Sequence, residues 1–325
     1  MEHTADALVY VGGIVGQHLG KISNTVNAGE VSVTGAPDSG TANWNVRCLG
    51  GIAGIIGGAD VAGAGATISD SKNLALVSHS TLAKSNAKPI YVGGTVGLML
   101  ESGCTISDCS NSGKVDAGFF NNSMEYGEAP STVRANCAGG IVGATVSPAD
   151  INVISGCSNS GEMSVYRGMG GGIVGYAEAA KIANCTNTGN FPTDNRGGRS
   201  GGIASKAVNT RIEGCLNQAT LAADGTGTTT IILIGGIVAD LSDGSSVSDC
   251  KHYGTLYSPL YGNAPGQFTL SGGGIAGASV VGTTIEKCGF GGQFKGKSAT
   301  ADLTIENLCN DSNFSGSGNY LWDGK

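Results

Sequence analysis

Six cysteines are the residues of this sequence whose type and spacing most suggest chemistry, because all of them occupy one position of an internal repeat. They are Cys109, Cys157, Cys185, Cys215, Cys250 and Cys288. An aligned array of thiols could bind a soft metal ion or carry out redox chemistry. None of them forms the Cys-x-x-Cys pair of a zinc site, and side chains at equivalent repeat positions point in one direction. We therefore predict a column of buried, reduced thiols that act as small apolar groups, with no metal and no cofactor. Any disulfide is expected among Cys48, Cys104 and Cys137, which lie off this column.

Hydrolytic chemistry would need a nucleophile, or a pair of carboxylates, with their partners. The four histidines, at positions 3, 18, 79 and 252, share no repeat position, and the sequence has no G-x-S-x-G or H-E-x-x-H motif. Asp194 and Asp224, in neighbouring loops, come nearest to a carboxylate pair. Parallel β-helices can host polysaccharide lyases and hydrolases whose carboxylates come from different coils, so this enzyme class stays as an alternative. The expectation is a protein without catalytic residues.

Binding chemistry is better represented, in the variable loops between the repeats. Their aromatic residues are Trp44, Phe119, Phe120, Tyr126, Tyr257, Tyr261 and Phe268. Aromatic faces stack on sugar rings or fill the pockets of a protein partner. The same rings could instead pack the long loops against the body of the fold, and the sequence leaves both alternatives open.

The lengths of these loops predict a saddle-shaped surface, since long loops in repeats one to three and seven flank short loops in repeats four to six. Its floor would consist of Tyr166, Arg167, Arg196 and Arg199, with Asp194 nearby. Guanidinium groups bind carboxylates and sulfates in a fork geometry. We therefore predict a preference for acidic glycans.

The composition argues against several other classes of function. The 325 residues have a net charge of −7 and a pI near 5.0 without any run of Lys or Arg, so nucleic-acid binding is not expected. No apolar run is long enough to span a membrane, and the N-terminal residues lack the pattern of a signal peptide. The chain is thus expected to be a trimmed form of an exported protein, or not exported.

The elements that position all these residues follow from a repeat of Gly-Gly and two aliphatic residues. Its eight copies begin at Gly12, Gly50, Gly93, Gly139, Gly171, Gly201, Gly235 and Gly273. Successive copies lie 30 to 46 residues apart, which is typical of stacked units that cannot bury an apolar face alone. A second signature, aliphatic-x-x-Cys-x-Asn-x-Gly-x-aliphatic, follows each copy.

Two positions of the second signature carry structural predictions. The Asn position holds Asn27, Asn73, Asn111, Asn159, Asn187 and Asn217, and then His252 and Phe290. Amides have both donors and acceptors, so we expect a buried ladder of side chains rather than a ligand site. The residue before Cys is usually Asn, Asp or Gly, which favours a bend in a left-handed conformation.

Alternating positions within both signatures predict three short strands per repeat. Short strands that align from copy to copy predict an all-β fold, a right-handed parallel β-helix (β-solenoid) of eight to nine three-strand coils. A β-propeller is the competing architecture, but the shortest repeat, of 30 residues, is too small for a four-stranded blade. We expect a single domain over residues 1–325, with repeats starting near residues 10, 48, 91, 137, 169, 199, 233 and 271.

The C-terminal residues, about 303–325, are predicted to cap the last coil. Residues 304–308 would repeat the second strand once more, and Phe314, Tyr320 and Trp322 would cover the open end of the core.

Two adjacent apolar positions follow each Gly-Gly pair, although the side chains of a strand alternate between its faces. We expect the Ile position to face the core. The Val/Ala position would then form an outer apolar stripe that includes Val15, Val142, Val174 and Val238. Stripes of that size tend to be covered, and the cover would be the chain's own loops, a neighbouring domain or a second copy. The alternative is that Val simply suits a strand and that the stripe stays partly exposed.

Gly-Gly-Ile-Val-Gly with the downstream Cys-x-Asn-x-Gly resembles the repeats of bacterial cell-surface, adhesin-like proteins with GLUG motifs. The resemblance covers about residues 10–310 and implies display at the cell surface or secretion, with no catalytic residues. We therefore expect a non-catalytic module that binds a glycan or a surface protein through loops on one edge of the β-helix. The alternatives are a carbohydrate-active β-helix enzyme and a structural spacer.

Overall fold

The structure is a computed structural model that describes residues 9–35, 47–57, 65–81, 90–100, 102–118, 136–147, 151–165, 168–192, 198–223, 232–258, 270–296, 300–309, 311 and 313–324. Short strands run parallel and stack from each repeat onto the next, so the predicted parallel β-helix is confirmed. Eight coils each contribute one strand to four sheets, which we call A to D in the order of the chain.

Sheets A and B lie on the two sides of each Gly-Gly pair. The strands of sheet A are Val9–Gly12, Arg47–Gly50, Ile90–Gly93, Cys137–Gly139, Met169–Gly171, Arg199–Gly201, Ile232–Gly235 and Leu270–Gly273. The strands of sheet B are Val15–His18, Ala53–Ile56, Val96–Leu100, Val142–Val146, Val174–Glu178, Ala204–Val208, Val238–Ser242 and Ala276–Ser279.

Sheets C and D contain the second signature. The strands of sheet C are Lys21–Ser23, Thr67–Ser69, Thr105–Ser107, Asn152–Ser155, Ala180–Ala183, Arg211–Glu213, Ser246–Ser248 and Thr284–Glu286. The strands of sheet D are Val26–Asn27, Lys72–Asn73, Ser110–Asn111, Ser158–Asn159, Thr186–Asn187, Leu216–Asn217, Lys251–Tyr257 and Gly289–Lys295, joined by Leu221–Ala222, Thr300–Asp302 and Tyr320–Leu321. The first four coils add a sheet E of Val31–Gly35, Val77–Thr81, Val115–Asp116 and Met163–Ser164, and a 3-10 turn spans Ile305–Asn307.

Each coil therefore has at least four strands where three were predicted, because the Gly-Gly-Ile-Val-Gly segment is a corner and not one strand. In the fourth repeat, sheet A ends at Gly139 and sheet B begins at Val142. The backbone N–H groups of Ile141 and Val142 both donate to the carbonyl of Ile173 in the next coil, at 3.0 and 2.9 Å. Period-two reasoning assumes an extended chain, and it fails where the chain turns.

This corner also overturns the predicted outer stripe. Ile141 and Val142 are both fully buried in one core, and so are Val174 and Val238. Val15, in the first coil, is partly buried against the same core. Because the chain turns between the two positions, both side chains point inwards and no Val/Ala stripe is left outside for a neighbour to cover.

The asparagines form the predicted ladder through the core. Each side-chain amide donates to the side-chain oxygen of the next coil, at 2.8, 2.7, 2.8, 3.0 and 2.9 Å from Asn27 to Asn217. The first five also donate to the backbone carbonyl two residues further on, as Asn111 does to Gly113 at 2.8 Å. At the seventh coil Asn217 donates to Nδ1 of His252 at 3.0 Å, and Phe290 ends the column.

The cysteine column is buried and reduced as predicted, and all ten cysteines of the chain are free thiols. Cys48 and Cys137 lie two coils apart with Tyr91 between them, and Cys104 is also a free thiol, so no disulfide joins the three cysteines off the column. The column is less apolar than expected, since Cys215 Sγ donates to the Glu213 carbonyl at 3.4 Å and accepts the Cys185 N–H at 3.5 Å. These bonds satisfy backbone groups at a bend, which earlier coils satisfy with Thr25 and Ser71.

The residue before this column has a left-handed backbone, as predicted for a bend. Positive φ angles occur at Asn24, Asp70, Asp108, Gly156, Asn184, Gly214, Asp249 and Lys287. Asn, Asp and Gly tolerate this conformation best, which explains the preference at that position.

The C-terminal residues cap the last coil, although not with the predicted alignment. Leu308 occupies the corner position, because its carbonyl accepts the N–H groups of Ile275 and Ala276 at 3.0 and 3.2 Å. The strand Tyr320–Leu321 then pairs with sheet D of the eighth coil, so the tail forms a partial ninth coil. Phe314 packs against the core, as expected of a cap.

Candidate functional site

Most of the predicted site residues fall outside the described residues. These are Trp44, Phe119, Phe120, Tyr126, Tyr166, Arg167, Asp194, Arg196 and Tyr261, together with Asp224 and Phe268. Among the residues that were predicted to bind ligand, the structure places Arg199 and Tyr257.

Arg199 does not lie on an open saddle floor. It is buried beside an apolar cluster between sheets A and B that contains Met169 and Tyr176. Its Nη1 lies 3.2 Å from Asp240 Oδ2, and Lys206 Nζ lies 3.5 Å from the same oxygen. The guanidinium therefore neutralises an internal carboxylate of the next coil, and that position does not present a free fork to an acidic sugar.

Tyr257 is partly buried and packs against the main core. It ends the long sheet D strand of the seventh coil, where it pairs with Lys295. For this ring, the alternative that loop aromatics pack against the body of the fold is the one that applies.

A cavity of about 560 Å³ lies outside sheet D at the C-terminal end of the rod. Its walls include Tyr253, Gln293, Asp302, Trp322 and Asp323. They come from the last two coils and from the cap, so this concavity exists only because the tail folds back onto the eighth coil.

Two aromatic rings form one side of the cavity. Tyr253 and Trp322 meet edge to face, with ring centroids 6.2 Å apart and planes at 78°. Lys251 Nζ lies 5.2 Å from the centre of the Trp322 ring, which adds a cation–π contact that fixes the indole. Tyr253 is 40% exposed, so part of its ring remains available to a ligand.

The floor of the cavity is bare backbone because three glycines meet there. Gly254 pairs with Gly292, and Gly291 lies beneath Tyr253 in the register of the two long strands. A side chain at Gly291 would overlap the Trp322 carbonyl, and one at Gly292 would overlap that of Gly254. Gly292 also has a φ of +96°, which other residues rarely adopt.

Polar groups form the remaining wall. The strand Thr300–Asp302 runs antiparallel to Gly289–Lys295 and sets Asp302 opposite Gln293. Gln293 Nε2 donates to Asp302 Oδ1 at 3.1 Å. Asp323 adds a second carboxylate. Aromatic faces beside amide and carboxylate groups suit a hydroxyl-bearing ring, whose apolar face stacks while its hydroxyls form hydrogen bonds.

No group of three or more histidine, cysteine or acidic side chains that could hold a metal occurs in the described part of the chain. Among the same residues, no helix has the length and apolarity needed to cross a membrane.

The family model described as the GLUG motif matches residues 167–191. That segment contains the Gly171-Gly172 corner, Cys185 and Asn187, which are the residues that build a coil. The chain carries a GLUG motif. The GLUG part of the resemblance drawn from the sequence is thereby confirmed for this segment. The strands of this coil stack in one register with those of the other seven coils.

A solved structure from Bacteroides ovatus, of a protein provisionally assigned as an immunoglobulin A1 protease, aligns with 94% of this chain and 78% of its own at 15% identity and a TM-score of 0.38. No curated protein matches the chain.

Sequence reasoning missed the cavity because its walls do not follow the GLUG period. Four separate segments supply Tyr253, Gln293, Asp302 and Trp322. The available signal was a departure from the repeat, since the last two coils have His252 and Phe290 in place of the asparagine. The sheet D strands that contain these residues are seven residues long.

Proposed function

We propose that this GLUG-repeat chain is a non-catalytic binding module, displayed at a bacterial cell surface, that takes a glycan in the cavity at the C-terminal end of its β-helix. One observation carries the proposal. The rings of Tyr253 and Trp322 form one side of the cavity, Gln293 and Asp302 form another, and glycine backbone lies between them. Surface display and adhesion rest on the resemblance of the repeat.

The charge of the cavity narrows the class of sugar. Asp302 and Asp323 face it, so an acidic glycan would meet like charge there. We therefore propose neutral or amino sugars for this cavity, which differs from the acidic preference expected of the arginine-lined saddle.

A glycan array tests the proposal with the full chain, the Trp322→Ala variant and a Tyr320→Ala control. Tyr320 is an exposed aromatic two residues from Trp322 and is not part of the cavity wall. We expect the native chain and the control to bind neutral or amino sugars, and Trp322→Ala to bind about tenfold more weakly because a stacking face is lost. Equal binding by all three proteins would reject the cavity as the site.

Reducing-sugar release, measured on the glycans that bind, separates the alternatives from another class. If the native chain released reducing sugar and the Asp302→Asn variant did not, Asp302 and Asp323 would be the carboxylates of a glycan-cleaving enzyme. Binding without release supports the proposed module. If the chain neither binds a glycan nor releases reducing sugar, the structural-spacer alternative is the one that remains.

A further inference from the structure

Among the described residues, none covers the outer face of the first coil. Ile14 is 49% exposed and Val26 is 53% exposed. The residues equivalent to Ile14 in later coils are fully buried: Ile52, Ile141, Ile173, Ile203, Ile237 and Ile275. In each later coil, the preceding coil covers this apolar face. At coil one, the face is not covered by any described residue.

Backbone hydrogen bonds between coils have a fixed pattern. In coil one, the groups that would bond to a preceding coil have no partner among the described residues. At the Gly-Gly corner, the N–H groups of a coil donate to the carbonyl of the next coil, as Ile14 and Val15 do to Ile52, both at 3.1 Å. In the described residues no donor reaches the Ile14 carbonyl, which would accept the same pair from a preceding coil.

Donors are open on the same edge. In the second coil Thr67, Lys72 and Leu74 donate backwards to first-coil carbonyls at 2.8, 2.7 and 2.9 Å. Their register equivalents in the first coil are Lys21, Val26 and the residue after Asn27. Those N–H groups have no acceptor among the described residues, so the edge offers a row of donors and acceptors in parallel register.

The amide ladder has a direction, and its acceptor end lies at this edge. Asn159 Oδ1 accepts both the Asn111 amide at 2.8 Å and the Gly161 N–H at 3.2 Å. Asn27 Oδ1 accepts the Gly29 N–H at 3.2 Å, and no amide reaches it from a coil before. Asn27 is only 6% exposed, which leaves a nearly buried acceptor aimed at the open face.

We propose that this face is a docking surface for one further coil of the same repeat type, stacked in parallel on coil one. The interface would continue the one that joins the eight coils of this chain. The docked coil would cover Ile14 with its own corner isoleucine and donate a side-chain amide to Asn27.

A second copy of the chain does not fit the same surface. Its last coil is covered by the tail, where the Leu308 carbonyl accepts Ile275 and Ala276. Stacked first coil to first coil with the corners aligned, two copies would set the Ile14 carbonyl and Asn27 Oδ1 of one against the same acceptors of the other, and two acceptors cannot bond to each other.

The test inserts a copy of residues 168–197, one complete coil, between Leu8 and Val9 of the full chain. In this insert the copy of Asn187 aligns with Asn27. The matched control carries Gly172→Val within the insert, because a side chain there would overlap the backbone of the following coil and the coil's own Asn187. Both proteins have the same length and the same eight native coils.

Amide hydrogen exchange and thermal unfolding provide the readouts. We expect the inserted coil to slow exchange of the Lys21 and Val26 amides at least about tenfold and to raise Tm, while the Gly172→Val control does neither. Unchanged exchange with the native insert would overturn the proposal. A dimer of the unmodified chain that Ile14→Lys dissociates would also overturn it, because the face would then belong to a second copy.

Discussion

Asn187 lies directly against Gly172 of the same coil, so that a Cβ atom on this glycine would overlap the Asn187 amide. The same relationship joins Gly94 to Asn111 and Gly140 to Asn159. The second glycine of the motif is therefore required by the ladder. The two signatures of the repeat depend on each other, because the Gly-Gly segment leaves the space that the asparagine fills. Because these residues are used by the fold, none of them is left to bind a ligand.

Substitution of that glycine should be costly. We expect Gly172→Ala to lower the free energy of unfolding by about 2 kcal/mol or more, since the methyl group meets both the Asn187 amide and the Gly202 carbonyl. Gly20→Ala is the control, because a Cβ there would contact only the His18 ring at 3.6 Å. Denaturant titrations of both variants measure the difference, and equal stabilities would refute the packing argument.

Loss of one rung of the ladder should cost more than loss of a surface hydrogen bond. Asn159→Ala leaves the buried Asn111 amide without its acceptor and Asn187 Oδ1 without its donor, at 2.8 and 3.0 Å in the native chain. We expect the unfolding free energy to fall by about 2–4 kcal/mol. The neighbouring Ser158 is exposed, and Ser158→Ala should change stability by less than about 0.5 kcal/mol.

The thiol column should tolerate a hydroxyl better than a methyl group. Ser71 occupies this column in the second coil, where its hydroxyl donates to the Ser69 carbonyl at 2.8 Å and accepts the Thr25 N–H at 3.3 Å. Cys215→Ser should therefore cost less than about 1 kcal/mol, whereas Cys215→Val leaves the Cys185 N–H without an acceptor and should cost about 2. Thermal unfolding ranks the two variants, and the reverse order would show that the column is purely apolar.

His252 should make the fold sensitive to acid. The Asn217 amide uses its two hydrogens on the Gly236 carbonyl at 2.9 Å and on His252 Nδ1 at 3.0 Å, so Nδ1 must accept and the ring must be neutral. Burial lowers the pKa of His252 from 6.5 to about 4. Between these values the unfolded chain binds a proton that the folded chain does not, so stability present above pH 6.5 is lost as pH falls towards 4.

The magnitude of this effect is about 3 kcal/mol for a pKa difference of this size. We expect His252→Asn, which keeps an amide in the ladder, to flatten the decline in unfolding free energy between pH 6.5 and 4 relative to the native chain. Carboxylates contribute equally to both proteins, so the difference between their pH profiles isolates His252. Parallel profiles would contradict a neutral buried ring.

The features that the sequence could predict are those that repeat. The register of Asn159 with Asn187, the buried thiols and the left-handed residue at Asp108 all follow from residue types that recur at one position. Each is confirmed because stacking converts recurrence along the chain into contact in space.

The features that it could not predict depend on one turn or on one end. Period-two alternation gave no sign of the corner before Val142, which needs two N–H groups to share one carbonyl. Arg199 was expected at the surface because its partner Asp240 lies 41 residues further along the chain, in a different sheet. Trp322 was assigned to the end of the core and instead lies beside Tyr253, because the tail turns outward over sheet D.

A double-mutant cycle on Asn159 and Asn187 tests the central claim most directly, namely that the asparagines form one hydrogen-bonded chain. Asn159 Nδ2 lies 3.0 Å from Asn187 Oδ1 in the next coil. If they are bonded, Asn159→Ala and Asn187→Ala together should destabilise the chain by at least about 1 kcal/mol less than the sum of the single variants. Costs that add within about 0.3 kcal/mol would contradict the ladder.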